Sequence, residues 1–220
     1  MDERPGLNIM MLNMLGRKLE EDPDKHGHVT LMLDAMSIKK HLQYNPRTKR
    51  MSGYVDLGNG CNETDPATEA LVLMVVGLKG HWKAPIGYFF TATLTADTQK
   101  ELVVHALEAL HDRSIKVVSV TMDGHATNLG MCNLLGTNLK GNPKDPLKTS
   151  FTHPSSGDEV FVIMDACHML KLARNMLEVI HFSWYLWWSL YSHPLYALSS
   201  YIIYYSFAYL HAVADGRIPL

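Results

Sequence analysis

The sequence predicts an α/β fold in which a mixed five-stranded sheet is flanked by helices. Two apolar runs, Val29–Leu33 and Lys116–Met122, each lead into a carboxylate, Asp34 and Asp123. Runs of this kind are typical of strands that are buried on both faces. Segments with apolar residues at helical spacing are interspersed with the strand-like runs, and that order is typical of α/β proteins.

The first half of the chain contains one helix and three strands. Apolar residues from Leu7 to Leu15 recur at helical spacing and predict an amphipathic helix, which a polar loop follows. The strand that ends at Asp34 comes next. Two further apolar runs, Glu69–Lys79 and Ile86–Thr91, flank a short loop and predict an antiparallel hairpin.

The second half alternates helices and strands. Asp97 or Thr98 is expected to cap a helix that ends near His111. The remaining elements follow in chain order: the strand Lys116–Met122, a helix over His125–Leu135, an exposed loop over Gly141–Asp158, a fifth strand over Glu159–Met164 and a third helix over Ala166–Leu177.

Charge and cysteine content exclude some classes of protein. The chain has 20 Lys+Arg and 22 Asp+Glu, so contact with nucleic acid requires a local basic patch. The three cysteines lie far apart without a C-x-x-C spacing, which argues against a structural zinc site or a disulfide framework. The cysteines are expected to be reduced, intracellular thiols, and the N-terminal residues show no secretory signal.

Composition changes near residue 180. No Asp, Glu, Lys or Arg occurs from Val179 to Ala214. We therefore expect a helix and linker over 1–28, a domain over 29–178 and an apolar aromatic tail over 179–220 outside that domain. Residues 195–214 have the length of a membrane span, but Pro194 and the many tyrosines disfavour one. A translated non-coding stretch or the degraded end of an element is the alternative.

The two carboxylates predict a metal site. If their strands are neighbours in the sheet, the strands lie about 4.8 Å apart. Asp34 and Asp123 could then hold one hard divalent cation between them. This pair is the predicted catalytic and metal-binding centre.

Four other residues are possible additions to that centre. Asp165 also ends an apolar strand, and it either lines the same edge or caps the following helix. Glu178 either leans toward the site or lies on the surface. His125 and Asn128 either orient a phosphate or a metal-bound water, or make hydrogen bonds at a helix start.

One dense basic patch follows the Asp34 strand. It is a candidate contact for the phosphate backbone of nucleic acid, and a solvated hairpin face is the alternative. Its candidate nucleic-acid-binding residues are Lys39, Lys40, Arg47, Lys49 and Arg50.

Five blocks of sequence resemble the catalytic domain of P-element-type transposases, including their THAP-domain relatives. The resemblance covers roughly residues 5–178. The blocks are MLDAMSIKK (32–40), GYVDLGNG (53–60), LVLMVVGLKGHWKAPIGYFF (71–90), VTMDGHATN (120–128) and MDACHMLKLARN (164–175).

The resemblance implies an RNase H-like fold that binds Mg²⁺ or Mn²⁺ through DDE carboxylates to cut and join DNA. Asp34 matches the first family carboxylate and Asp123 the second. The third, a glutamate, follows a large GTP-binding insertion in the family, and most of that insertion is expected to be missing here. The implied partners are transposon-end DNA and other transposase subunits, and the implied location is the nucleus.

Two functions follow as hypotheses. The chain is either a truncated transposase with impaired DNA cleavage, or a catalytically inactive, transposon-derived remnant that binds DNA or another subunit. We expect impairment because the last catalytic glutamate is not in the family-like region.

Overall fold

The computed structural model describes residues 4–47, 49–58, 65–140 and 145–187, without the side chains of 45, 50 and 177–187. The chain forms two compact units, Met1–Val162 and Ile163–Leu220, which we describe separately.

Nine strands and five helices make up the described part of the chain. In chain order they are β1 (Gly6–Leu7), α1 (Ile9–Glu21), α2 (Pro23–His26), β2 (His28–Ser37), β3 (Gln43–Asn45), β4 (Arg50–Ser52), β5 (Glu69–Gly77), β6 (Lys83–Thr91), α3 (Ala96–His111), β7 (Lys116–Met122), α4 (Ala126–Leu135), β8 (Ser150–Thr152), β9 (Glu159–Met164) and α5 (Ala166–Trp187).

The main sheet is mixed and has the strand order β1-β6-β5-β2-β7-β9-β8. Strand β2 lies at its centre, antiparallel to β5 and parallel to β7. The predicted fold class is confirmed, and the five predicted strands are the five inner ones. The two edge strands, β1 and β8, were not predicted, because strands of two and three residues are too short to show a pattern in the sequence.

The burial of β2 and β7 differs from the prediction that both faces are covered. Val29, Leu31 and Leu33 are buried, whereas the residues between them are partly exposed. In β7, Val120 pairs with Leu31 and is buried with it. Met122 lies one residue beyond the last paired residue, on the same side as Leu33, and is buried as well. Within the described residues of the first unit, the two strands therefore have one core face and one more open face.

The β5–β6 hairpin is present as predicted, with a shorter connection. Strand β6 begins at Lys83, and a register shift between Leu73 and Met74 accommodates Pro85. The Trp82 side chain lies over Gly77, where an added Cβ would stand 2.1 Å from Nε1 of the indole. Gly77 is therefore the position that lets this ring pack on the strand.

Helix α3 packs an apolar face into the core, as its spacing predicts. Val103, Leu107 and Leu110 are fully buried. The predicted cap was wrong: Thr95 precedes the helix, and its side chain accepts a hydrogen bond from the Thr98 N–H. Thr95, Asp97 and Thr98 all have side chains that can cap, and the sequence alone did not separate them.

The stretch 141–158 is not wholly an exposed loop. Phe151 is buried in β8, and His153 is 4% exposed. The Nδ1 atom of His153 accepts hydrogen bonds from the N–H groups of Ser155 and Ser156, at 3.1 and 3.3 Å. Burial, followed by the nearby His111, lowers the pKa of His153.

The second unit contains the end of β9 and the helix α5. This helix continues to Trp187, so it crosses the composition change near residue 180 without a break. The predicted tail beyond residue 187, including 195–214, lies outside the described residues. Among the helices that the structure describes, none is both long and apolar enough to cross a membrane.

Candidate metal centre

The central pair of parallel strands brings the two aspartates to the same edge of the sheet. Thr30 pairs with Ser119, and Met32 pairs with Thr121. Asp34 lies two residues beyond the last residue of β2 that pairs with β7, and Asp123 directly follows β7, so the same register extended by two residues places the two aspartates opposite each other. Neighbouring strands lie about 4.8 Å apart, which is within the span of two carboxylates that share one ion.

Opposite the face that holds Leu31 and Leu33, a line of hydroxyl groups leads from the buried Ser119 toward the aspartates. Ser119 Oγ donates to Thr30 Oγ1 at 2.9 Å, and Thr30 Oγ1 lies 3.2 Å from Thr121 Oγ1. These side-chain contacts connect β2 to β7 in addition to the backbone hydrogen bonds between the two strands. They fix the relative position of the two strands just before the aspartates.

Asp34 is an exposed residue in β2. Its carboxylate has no hydrogen-bond or ion-pair partner within the part of the chain that the structure describes. An exposed carboxylate without a partner keeps all its oxygen lone pairs available to a cation. Its chemistry therefore fits a hard divalent ion such as Mg²⁺ or Mn²⁺.

Asp123, by contrast, is held by the turn that follows β7. One carboxylate oxygen, Oδ1, accepts from the His125 N–H at 3.0 Å and from the Asn128 amide at 2.5 Å. The same amide nitrogen lies 3.3 Å from the Asp123 carbonyl oxygen. Because both donors approach Oδ1, the other carboxylate oxygen remains available to a ligand.

A buried glutamine extends this support into helix α3. Gln99 is 1% exposed, and its side-chain amide donates to Oδ1 of Asn128 at 2.5 Å. The contact orients the Asn128 amide so that its nitrogen faces Asp123, since the opposite orientation would bring two oxygens together. Gln99, Asn128 and Asp123 thus form one chain of hydrogen bonds.

Sequence reasoning named Asn128 and His125 but missed Gln99. The signal was available, because Gln99 is a polar residue at a core position of an otherwise apolar helix face. His125 also caps α4, where its Nδ1 lies 3.4 Å from the Thr127 N–H. His125 therefore contributes a backbone N–H to Asp123 and a ring nitrogen to the helix.

Asp165 and Glu178 belong to the second unit. Asp165 directly precedes α5, and its carboxylate accepts from the Cys167 N–H at 3.1 Å, which is a contact typical of a helix start. The side chain of Glu178 lies outside the described residues. In the described ranges, no three His, Cys, Asp or Glu side chains come together as a possible metal site.

The predicted basic patch forms a small hairpin that starts beyond the Asp34 end of β2. Strands β3 and β4 pair antiparallel, and Lys39, Lys40 and Lys49 are exposed. Arg47 is exposed as well, and the side chain of Arg50 lies outside the described residues.

Comparison with known proteins identifies the family. The family model described as TNP-like, RNase H N-terminal domain matches residues 3–136. The chain belongs to this family. The matched range contains both aspartates of the candidate centre, the basic hairpin and Gln99. Asp165 and Glu178 lie outside it.

Two relatives of this TNP-like domain are transposases. The chain is 34% identical to the human DNA transposase THAP9 over 178 residues, which are 79% of this chain and 19% of that protein. It is 30% identical to the Transposable element P transposase of Drosophila melanogaster over 112 residues, or 50% of this chain and 13% of that protein. The chain thus spans less than a fifth of either relative, and its resemblance to P-element-type transposases is confirmed.

A solved structure has the same fold as the TNP-like domain. It is described as the Drosophila P element transposase strand transfer complex, and it matches with a TM-score of 0.60 at 23% identity. The match covers 80% of this chain and 34% of that one. An RNase H-like arrangement of strands and helices is therefore confirmed.

Proposed function

We propose that this domain binds DNA and a divalent cation as the metal-binding half of a DDE-type DNA transposase. The observation that carries the proposal is the pair Asp34 and Asp123: Asp34 lies in β2 just beyond the residues that pair with β7, and Asp123 directly follows β7, the parallel neighbour of β2. The second is held by a hydrogen-bonded turn, and the first has a free carboxylate in the described part of the chain.

The donor set fits Mg²⁺ or Mn²⁺, because both ions favour carboxylate oxygens. When bound between metal-binding carboxylates, such ions activate an attacking oxygen and stabilise the leaving oxygen of a phosphate group. The role of this chain is to hold Asp123 in one orientation through Asn128 and to offer Asp34 from the adjacent strand.

The proposed nucleic-acid contact is the basic hairpin near the Asp34 end of the sheet. Between Ala35 and Val55 the sequence contains five Lys or Arg residues and no Asp or Glu. A local positive field of this kind attracts the phosphate backbone without reading its sequence. The relatives' names, DNA transposase and P transposase, support DNA as the substrate class.

We further propose that the 220-residue chain alone cleaves DNA weakly. Two carboxylates hold one ion better than two, and a two-metal reaction requires acidic ligands for both. Asp34 and Asp123 supply two such ligands from neighbouring strands. The alternative function is a catalytically inactive remnant that binds DNA or another transposase subunit.

A nicking assay on supercoiled plasmid with the purified chain tests the proposal. We expect slow nicking that Mn²⁺ supports better than Mg²⁺, because Mn²⁺ binds a given site more tightly. Asp34→Ala and Asp123→Ala should each abolish it. Asp158→Asn is the matched control, since Asp158 pairs with Lys116 at the opposite end of β7.

Three results are informative. Nicking that survives both alanine substitutions would refute the assignment of the aspartates. Efficient Mg²⁺-dependent joining of DNA ends would refute the proposed impairment. DNA binding without any nicking would favour the inactive alternative.

The remaining expectations from the resemblance stay proposals. We propose a nuclear location, as expected for a protein that acts on chromosomal DNA, and contacts with other transposase subunits. In the family, the predicted GTP-binding site lies in the inserted domain, so we assign GTP binding to that insertion and not to the described residues.

The domain division is also a proposal: 1–28 forms the helix and linker, 29–178 the domain and 179–220 a separable tail. Removal of residues 188–220 keeps every residue that the structure describes in α5. The shortened chain should therefore keep its circular dichroism spectrum, and a loss of that spectrum would show that the tail belongs to the core.

A further inference from the structure

The basic hairpin carries two apolar side chains on one of its faces. Tyr44 in β3 stands directly opposite Met51 in β4. Residues that pair across two antiparallel strands project from the same face of the hairpin. Tyr44 is 55% exposed and Met51 is 48% exposed, so this face is open in the described structure.

The base of the hairpin is anchored closely to the rest of the first unit. Gly53 has φ +101°, and an added Cβ would stand 2.0 Å from the His41 carbonyl oxygen, so the two ends of the hairpin approach backbone to backbone. The Ala67 N–H donates to the Gly53 carbonyl at 2.8 Å. The Ile38 N–H donates to the Thr68 carbonyl at 2.9 Å. Both ends are thus fixed at the Asp34 end of the sheet.

Charge decides which partner suits this face. An exposed Tyr–Met pair could receive an apolar peptide, a second copy of the chain or a nucleic-acid base. The pair lies within a 21-residue stretch, 35–55, that has five Lys or Arg and no Asp or Glu. Cationic side chains around an aromatic ring are typical of surfaces on which the bases of single-stranded nucleic acid stack.

Duplex DNA cannot use such a face fully, because its bases are already stacked on one another. An unpaired nucleotide offers both a free base for the tyrosine ring and a phosphate for the lysines. Met51 adds a flexible and polarizable apolar neighbour that adapts to the edge of the base.

We propose that the Tyr44–Met51 face, on the hairpin that follows the Asp34 strand, is a stacking site for unpaired DNA bases. The proposal rests on the proposed function, because it specifies the form of DNA that the basic hairpin binds. The ring of Tyr44 stacks on the base, and Lys and Arg residues of the same 35–55 stretch hold the adjacent phosphates.

Binding of two labelled DNAs to the full 220-residue chain tests the site. One is a 20-nucleotide single strand, and the other is the duplex of the same sequence, both followed by fluorescence anisotropy. Tyr44→Ala should weaken single-strand binding about 5- to 150-fold, the range for the loss of one stacked base. Duplex binding should change less than about twofold, because phosphate contacts do not require the ring. Tyr44→Phe should retain single-strand binding.

The control variants separate stacking from charge. Met10→Ala removes a side chain that is 69% exposed on α1, and it should alter neither affinity. Lys39→Gln with Lys40→Gln should weaken single-strand and duplex binding together and reduce the salt dependence of both. A 2-aminopurine base in the single strand should be quenched by the wild type and by Tyr44→Phe but not by Tyr44→Ala.

The outcomes are distinct for the two proposals. If the wild type binds neither DNA at low salt, the proposed function and the stacking site both fail. If it binds both DNAs and Tyr44→Ala changes neither affinity, or changes both equally, only the stacking site is overturned. A dimer that Tyr44→Ala dissociates, with unchanged single-strand affinity, would assign the face to a second copy of the chain instead.

Discussion

Replacement of Gln99 by methionine tests whether a buried hydrogen-bond chain supports the candidate metal centre. Methionine has a similar size but no amide, so the contact with Asn128 at 2.5 Å is lost while the helix face remains filled. The Asn128 oxygen then lacks a donor. Its amide is no longer held with the nitrogen toward Asp123.

The magnitude follows from the position of these groups. The Asn128 oxygen that loses its donor is partly buried, and a fully buried unsatisfied oxygen costs about 1–3 kcal/mol, so the free energy of unfolding should fall by about 1 kcal/mol, the lower end of that range. Residues that orient a metal ligand typically change affinity about 10- to 100-fold. Because Gln99 acts on Asp123 only through Asn128, we expect Gln99→Met to weaken Mn²⁺ binding by about 10-fold, the lower end of that range.

The assay is Mn²⁺ titration, followed by the signal of the free ion in electron paramagnetic resonance, together with urea unfolding. Val103→Ala is the matched control: Val103 lies one turn further along α3 and is fully buried, and its loss should destabilise the chain without weakening Mn²⁺ binding. If Gln99→Met destabilises the protein as Val103→Ala does and leaves Mn²⁺ affinity unchanged, the glutamine is structural only.

Two further predictions concern stability. Gly77→Ala should destabilise the fold by about 1–3 kcal/mol, because the new methyl group displaces the Trp82 ring. Gly16→Ala, in helix α1 with its nearest neighbour at 3.6 Å, should instead stabilise the fold by about 0.5–1 kcal/mol. Urea denaturation measures both changes, and equal effects would contradict the packing described for Gly77. Burial lowers the pKa of His153, so the unfolded chain takes up a proton before the folded chain does as pH falls below about 6.5. Stability should therefore decrease from pH 7 to pH 5, less steeply in His153→Gln, and parallel pH profiles for the two proteins would refute this role.

Much of the fold was predictable because its signals are local. The apolar runs of β5 and β6 with a short connection specify a hairpin, and the spacing of Val103, Leu107 and Leu110 specifies the buried face of α3. The edge strand β8 was not predictable, because three residues become a strand only by pairing with β9.

The candidate site divides in the same way. Asp34 and Asp123 stand out because each follows an apolar run, and their strands proved to be neighbours. Gln99 could not be linked to Asp123 from sequence alone, since the link passes through Asn128 on a different helix. The stacking face depends on which residues of the hairpin lie opposite each other, and that register is likewise set by the folded structure.

A double-mutant cycle on Mn²⁺ affinity tests most directly the claim that Asp34 and Asp123 share one cation. The proteins to compare are the wild type, Asp34→Asn, Asp123→Asn and the double variant, with Asp158→Asn as the control from the opposite end of β7. If the ion is shared, each single substitution removes most of the binding, the double variant is little worse than either, and the control binds as the wild type does. If the two substitutions instead weaken binding independently and additively, or if Asp158→Asn weakens it equally, the shared site is contradicted.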